Sequence, residues 1–197
     1  MNSLSPITRT LIFVNVGVYF VQMLSPETSL YLFALWPWGT PFFHIWQLIT
    51  YAFLHGSLTH LFFNMFGLYM FGPEIERALG SQRFLPYYFT CVVGAAVLHM
   101  TVIRFMGGLL EPMLGASGGV FGVLLAFGMF FPQRRIMLLI PPIPMPAWVF
   151  VTLYGLIELA MGVFGTMQGV AHFAHLGGML AGFLLLMYWR GRRPNYQ

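Results

Sequence analysis

The stretch GASGGVFGVLLAFGMFF, Gly115–Phe131, sets a single serine among glycines at the head of an apolar run. From Ser117 onward the run lasts about 15 residues, or about 22 Å at 1.5 Å per residue, short of the roughly 30 Å hydrocarbon core that a spanning helix crosses. Gln133, Arg134 and Arg135 follow and hold its inner end at the cytoplasmic surface. Its outer end therefore begins several ångströms below the outer surface, and the residue at that sunken end is Ser117.

The surrounding chain is that of an integral membrane protein: 58% of its 197 residues are hydrophobic and 7% are charged, against about 25% charged in a soluble domain. Six apolar runs long enough to matter are predicted as helices, at about Arg9 to Leu24, Leu58 to Leu79, Phe84 to Phe105, Ser117 to Phe131, Pro146 to Phe164 and Gly169 to Trp189. This is an all-α, polytopic six-helix bundle, read as a single domain over 1–197. The N-terminal run lacks a small-residue cleavage site and is read as a retained first span. Lysine is absent, and Arg9, Arg77, Arg83, Arg134, Arg135, Arg190, Arg192 and Arg193 share one side if the N-terminus is inside, leaving Arg104 outside. The positive-inside rule then places both termini in the cytoplasm. Scattered arginines in short connections make no basic stripe, so no nucleic-acid partner is expected. Cys91, alone in an apolar run, reads as small core filler. The long connection from Ser25 to Ser57 carries Trp36, Trp38 and Trp46, which suits short elements lying in the interface.

Polar side chains within spans are costly and point to function. Helices two, four and six all run inward, and counting from their outer ends puts His60, Asn64 and His175 at roughly 3 to 9 Å depth, the layer of Ser117. The chain contains no aspartate, no lysine and no HExxH. Those absences exclude a Ser-His-Asp triad, an aspartate pair, a Ser-Lys dyad and the usual zinc-protease helix. A serine with a histidine base survives. Gly118, Gly122 and Ala126 form a small-residue ridge on the fourth helix, and Gly178 and Gly182, on the face of His175, form its counterpart on the sixth. Such ridges let two helices approach closely enough for a Ser-His hydrogen bond. A helix N-terminus adds free N–H groups for an oxyanion, and His60 and Asn64, at i and i+4, can add donors. His172, one turn outward of His175, is the rival base and is expected to line a water-filled entrance. His55 is expected to make a structural hydrogen bond under the first connection, and His44 and His99 to be interfacial or packing residues. Glu158, the one acid well inside a span, offers either a third member orienting the base or a local hydrogen bond; the latter is expected, because the outward-running fifth helix puts it below or beside the site. The PPIPMP segment, 141–146, is expected to free the fifth helix from rigid coupling to the fourth.

Four motifs in order resemble the rhomboid family of intramembrane serine proteases: HGSLTHLFFN at His55–Asn64, GPEIERALG at Gly72–Gly80, GASG at Gly115–Gly118 and AHLGGMLAG at Ala174–Gly182. The resemblance implies Ser117 as nucleophile, His175 as base, His60 and Asn64 as oxyanion helpers together with Ser117, and Phe121 as the aromatic ring packed on the base. It also implies small residues before the scissile bond and lateral access beside the fifth helix. Where many relatives carry Trp-Arg in the first loop, this chain has Trp46-Gln47.

The expected activity is serine endopeptidase cleavage of membrane-anchored proteins within or near the outer end of their transmembrane segment, with no metal and no cofactor. The expected partners are transmembrane substrates and the lipid bilayer of a prokaryotic plasma membrane; the sequence sets no oligomeric state. Two other classes fit parts of the pattern: a catalytically inactive rhomboid-like binder of membrane clients, and a histidine-based metal or proton transporter using His55, His60, His172 and His175.

Overall fold

The computed structural model describes residues 4–106, 111–137, 142–164 and 172–191. Six long helices, α1 (Pro6–Leu24), α4 (Leu58–Leu79), α5 (Ser81–Met106), α6 (Ser117–Phe130), α7 (Ala147–Phe164) and α8 (His172–Gly191), match the six expected runs. The chain is an all-α multi-pass membrane bundle. The expected start of the sixth span at Gly169, and Arg192 and Arg193 at its end, lie outside the described residues. By length and composition α1, α5, α7 and α8 are each able to cross a membrane; α4 carries charges near its C-terminal end and α6 is only 14 residues long.

Helix α6 sits at the centre, buried on almost every side from Gly118 to Gly128, as a helix apolar all round must be. Its neighbour α5 presents Phe84, Tyr87, Tyr88, Cys91, Val92, Ala95 and Ala96, all fully buried, in the i, i+3, i+4 rhythm of one inward face. Cys91 is indeed core filler. Buried tyrosines tie the layers together: Tyr87 Oη donates to the Gly122 carbonyl at 2.7 Å and Tyr51 Oη to the Val92 carbonyl at 2.7 Å.

The expected glycine ridge is half right. A Cβ on Gly178 would meet the backbone of Gly118, and a Cβ on Gly122 would lie 3.2 Å from the Gly178 carbonyl oxygen, so α6 and α8 touch backbone to backbone. Gly182 faces α5 instead, 2.5 Å from Tyr87 Oη and 3.0 Å from Cys91 Sγ as measured to a Cβ. On the α5 side Gly177 likewise meets the Gly94 carbonyl at 2.7 Å. The sixth span therefore has two small-residue faces, one for each central helix.

Arginines and their partners gather at one end of the bundle. The Arg134 guanidinium lies 3.3 Å from Glu74 and stacks 4.8 Å from the Phe131 ring, and that of Arg83 sits over Trp189. At the same end the carboxylate of Glu76, from the GPEIERALG motif, caps another helix. It accepts from the N–H groups of Ile7 and Thr8 at 3.0 and 2.8 Å, from Thr8 Oγ1 at 2.9 Å and from the Ser5 hydroxyl, while Ser81 Oγ donates at 2.7 Å. The first turn of α1 thus receives both a negative charge at its positive end and partners for its free N–H groups. Gly72 is a glycine because Thr8 packs against its Cα, 2.7 Å from a would-be Cβ.

The first connection folds into α2 (Pro26–Phe33), α3 (Gln47–Thr50) and a 3-10 turn at Tyr51–Phe53. Gln47 is its anchor. Fully buried, its Oε1 accepts from the N–H groups of Trp36 and His44, and its Nε2 donates to the carbonyl of Phe42 at 3.0 Å and more weakly to those of Tyr31 and Leu32. A neutral amide thus holds the loop. Trp36 and Trp46 donate their indole N–H groups to Leu30 and Leu32 carbonyls, and His44 stacks on Trp46.

The expected uncoupling of the fifth helix by its proline-rich lead is not observed. Pro144–Pro146 (β2) pairs antiparallel with Arg135–Met137 (β1), and the N–H groups of Ala147 and Trp148 bond to the carbonyls of Arg134 and Pro132. Prolines suit this two-stranded ribbon because an edge strand needs no inward N–H.

Replacing Gly178 by leucine should cost at least about 3 kcal/mol, since overpacking here meets backbone rather than a movable side chain. Leu184→Ala, at a side chain that is 58% exposed, should change stability by about 0.5 kcal/mol or less in the same lipid. Thermal unfolding in detergent or bilayer checks both; equal midpoints would show that α6 and α8 are not in contact through Gly178.

Candidate active site

The site grows from the N-terminus of α6. Glu111–Ala116 is fastened to the first connection: Leu35 and Met113 exchange N–H to carbonyl bonds at 2.9 Å, and the Gly115 N–H donates to the Tyr51 carbonyl at 3.0 Å. Gly115 has φ of +125°, a conformation that L side chains rarely adopt. Its Cα also faces the His60 ring, leaving 2.7 Å between a Cβ and His60 Cε1. The two glycines flanking the Ala116-Ser117 pair therefore have different reasons: Gly115 for backbone conformation and His60, Gly118 for the close approach of Ala95 and α8.

Ser117 is the first residue of α6, and His175 Nε2 lies 2.9 Å from its Oγ. The side chain of His175 is only 12% exposed. The ring stacks on Phe121, centroids 4.1 Å apart and planes within 5°, and Tyr154 from α7 stacks on the other face of Phe121 at 5.2 Å. The imidazole is therefore held in one plane by aromatic contacts. Tyr154 was not expected here. It and Glu158 fall four residues apart on one face of the fifth span, the spacing that could have shown both.

Helix α4 brings the remaining candidates. Gly67 packs against Val120, so Ser117, three residues earlier on a helix running the same way, is level with Asn64. Asn64 is buried and donates one amide proton to the His60 carbonyl at 3.0 Å; an amide has two. His60 Nδ1 accepts a long contact from the Gly56 N–H, 3.4 Å, which leaves the proton of a neutral ring on Nε2. His60, Asn64, Ser117 and His175 all line one cleft of about 1030 Å³, walled by apolar residues of α4, α6 and α7 and reached also by His99.

Three expectations change. Glu158 makes no local bond: its Oε2 lies 2.8 Å from His175 Nδ1 and 2.7 Å from His172 Nδ1. His172 does not line the entrance; it is buried at 5% exposure beside Glu158. His55 is buried under the first connection as expected, yet it is its backbone that bonds, in a reciprocal pair with the Gln22 amide at 3.0 Å each way. Its ring packs edge-on against His60, 5.1 Å between centroids, and burial lowers its pKa to about 4, with the nearby His60 charge adding to the effect. His55 thus stays neutral next to His60 at ordinary pH.

Glu158, His172 and His175 also form a group whose ligand atoms lie within 4.8 Å of one another. Ligands at 2.0 to 2.2 Å from a tetrahedral zinc stand about 3.3 Å apart. The observed 2.7 and 2.8 Å separations are those of shared protons.

Residues 43–192 match the family model described as Rhomboid domain. The chain is 32% identical over 143 residues, 72% of its length, to Rhomboid protein 1, mitochondrial, of Saccharomyces cerevisiae, of which this covers 41%. It is 28% identical over 196 residues, 98% of its length, to Rhomboid protease GlpG of Serratia proteamaculans, covering 66% of that protein, and 25% identical over 189 residues to that of Yersinia pestis, covering 63%. The chain thus spans about two fifths to two thirds of the length of these curated relatives.

Gly115→Ala should move His60 out of the cleft and lower stability by about 1 to 3 kcal/mol, from strain at positive φ together with the clash. Histidine-labelled protein checks this by NMR: the His60 resonances should shift while those of His99 stay in place, and unchanged His60 signals would contradict the contact.

Proposed function

This chain belongs to the rhomboid family, and on that premise we propose that it is an intramembrane serine endopeptidase working through Ser117 and His175. The observation that carries the reading is the 2.9 Å contact of His175 Nε2 with Ser117 Oγ at the head of a buried helix. A serine hydroxyl is a weak nucleophile until a base at about 2.6 to 3.2 Å takes its proton.

The steps follow from the geometry. His175 Nε2 accepts the Ser117 proton as Oγ attacks a substrate carbonyl, whose π electrons move onto oxygen. The resulting anion is stabilised by the Ser117 N–H at the positive end of α6, by His60 Nε2–H and by the second amide proton of Asn64. His175 then gives its proton to the leaving amine. Water attacks the acyl-serine by the same route in reverse, regenerating both residues. Phe121 keeps the base in plane throughout. No step calls on a metal.

The substrate class is a membrane-anchored protein. A peptide bond inside a helix has its carbonyl engaged by the i+4 N–H, so the segment must unwind to present it, and the apolar cleft between α4 and α7 suits an arriving helix. Residues 1–197 act as a single protease domain in a plasma membrane of prokaryotic type, with both termini cytoplasmic and cleavage toward the outer surface.

Ser117→Ala and His175→Ala should each reduce cleavage of a model transmembrane substrate below detection with a nearly unchanged thermal midpoint. His60→Ala and Asn64→Ala should retain turnover about 10² to 10³ lower than the parent, the usual cost of one oxyanion donor. A fluorophosphonate should label the Asn64→Ala protein slowly and His175→Ala hardly at all. Cleavage should persist in excess chelator. Parental turnover by Asn64→Ala would reduce that residue to a structural role, and substantial turnover by Ser117→Ala would end the reading.

A further inference from the structure

A serine and a histidine suffice for the steps above, yet a buried carboxylate stands behind the histidine. Glu158 is 5% exposed, and its Oε2 is held between His175 Nδ1 at 2.8 Å and His172 Nδ1 at 2.7 Å. An ionised carboxylate only accepts hydrogen bonds, so both Nδ1 atoms carry their protons toward it. A neutral His175 protonated at Nδ1 has its lone pair on Nε2, the atom that faces Ser117 Oγ. His172 does not share the serine. Its Nε2 is buried without a partner among the described residues, and its one hydrogen bond goes to Glu158.

We propose that Glu158 is a positioning residue which, clamped by His172, fixes His175 in the tautomer able to accept the serine proton and balances the imidazolium that then forms. This rests on the Ser117–His175 reading. The proton balance is simple: the Ser117 proton moves to Nε2, His175 carries protons on both nitrogens, and Glu158 stays ionised, taking none. The carboxylate thus supplies from α7 the third group that an Asp supplies in a soluble serine hydrolase. Its neighbour His172 supplies a second N–H donor to the same carboxylate oxygen.

The test compares Glu158→Gln, Glu158→Asp, His172→Phe and Ser117→Ala, each as the full chain in lipid, by kcat, KM, fluorophosphonate labelling rate and thermal midpoint. The glutamine amide can donate to Nδ1, which puts the ring proton on Nε2, facing the serine. E158Q should therefore lower kcat by about 10³ to 10⁴, the loss seen when a triad carboxylate becomes an amide, with KM within about twofold because substrate does not touch it. E158D keeps the acceptor and should recover at least about tenfold over E158Q, while H172F, losing one hydrogen bond to a charged group, should cost about tenfold in kcat. Labelling should fall in the same ratios. In ¹⁵N-histidine protein, His175 should show an Nδ1-bound proton in the parent and an Nε2-bound one in E158Q, a readout that needs no turnover and no full yield of folded variant. Parental kcat in E158Q, an unchanged His175 tautomer in E158Q, or equal losses in E158Q and E158D that follow the thermal midpoint would each overturn the proposal. Activity in Ser117→Ala would overturn the dyad itself; a dead Ser117→Ala beside a fully active E158Q would leave the dyad standing and remove only Glu158.

Discussion

Two helix backbones meet where Gly178 lies against Gly118, and the rest of the site depends on that contact. A side chain on Gly178 would push α8 away from α6 by about the width of a methyl group, and one on Gly118 would push α6 away from Ala95 of α5. A hydrogen bond of 2.9 Å between Ser117 and His175 does not survive such a displacement, because its strength falls steeply with distance and angle. Association of helices in lipid has little hydrophobic drive, since lipid tails are as apolar as leucine, and rests on close packing instead. The same glycines that allow the approach therefore also hold it. Helix α5 braces the pair from behind through Ala95, Cys91 and Tyr87, and Gly177 and Gly94 repeat the small-residue device on that side. The central trio is rigid because three helices interlock on it.

Around this trio several strongly polar side chains that the bundle buries bond to backbone. In a medium with no water, an unpaired N–H or carboxylate costs several kcal/mol. Glu76 is spent on the first turn of α1, Gln47 on the loop carbonyls and N–H groups of the first connection, and Gln22 on the backbone of His55. Each bonds backbone that no helix ladder satisfies. Glu158 differs from these, since both of its partners are imidazoles and neither is backbone. That contrast sets Glu158 apart from the groups that complete the fold.

Much of this was legible in the residues. The apolar runs fixed all six long helices to within a few positions, because hydrocarbon thickness leaves little freedom in where a span begins. The short run after Ser117 marked the sunken helix, and Gly67 packing on Val120 sets Ser117 level with Asn64, the layer that counting had given. Other features required rotation and partners, which counting along one helix does not supply. Glu158 was expected below or beside the site with a local bond; it stands 11 residues from Ala147, about 16 Å, while Ser117 stands 13 residues from Phe130, about 20 Å, a difference that a glutamate and an imidazole easily bridge, so it bonds His175 instead. Gly182 shares a face with Gly178 on paper, but α8 packs against two helices and the stripe divides between them. Gln47 and the PPIPMP ribbon were read by what prolines and a missing arginine usually do, whereas their actual partners, Trp36, His44 and Phe42 for one and Arg135–Met137 for the other, are distant or unmarked in sequence.

Helix α7 joins these threads. It contacts α6 and α8 through small residues, Gly128 against Val151 and Gly155 against Met179, and its other flank walls the cleft with Phe150 and Tyr154. On its inward face it carries Tyr154, stacked on Phe121, and Glu158, bonded to His175. The helix that bounds the cleft is thus also the helix that touches the histidine. Any displacement of α7 that widens the cleft draws Tyr154 and Glu158 with it, because both are fixed to the same backbone four residues apart. The β1–β2 ribbon and the bonds from Ala147 and Trp148 tether the N-terminal end of α7, so such a displacement is a tilt about that end, largest near Phe164 and smaller at Glu158. Because Glu158 lies about two thirds of the way from Ala147 to Phe164, such a tilt carries its carboxylate about two thirds as far as the end of the helix, so widening the cleft and loosening the contact with His175 are coupled.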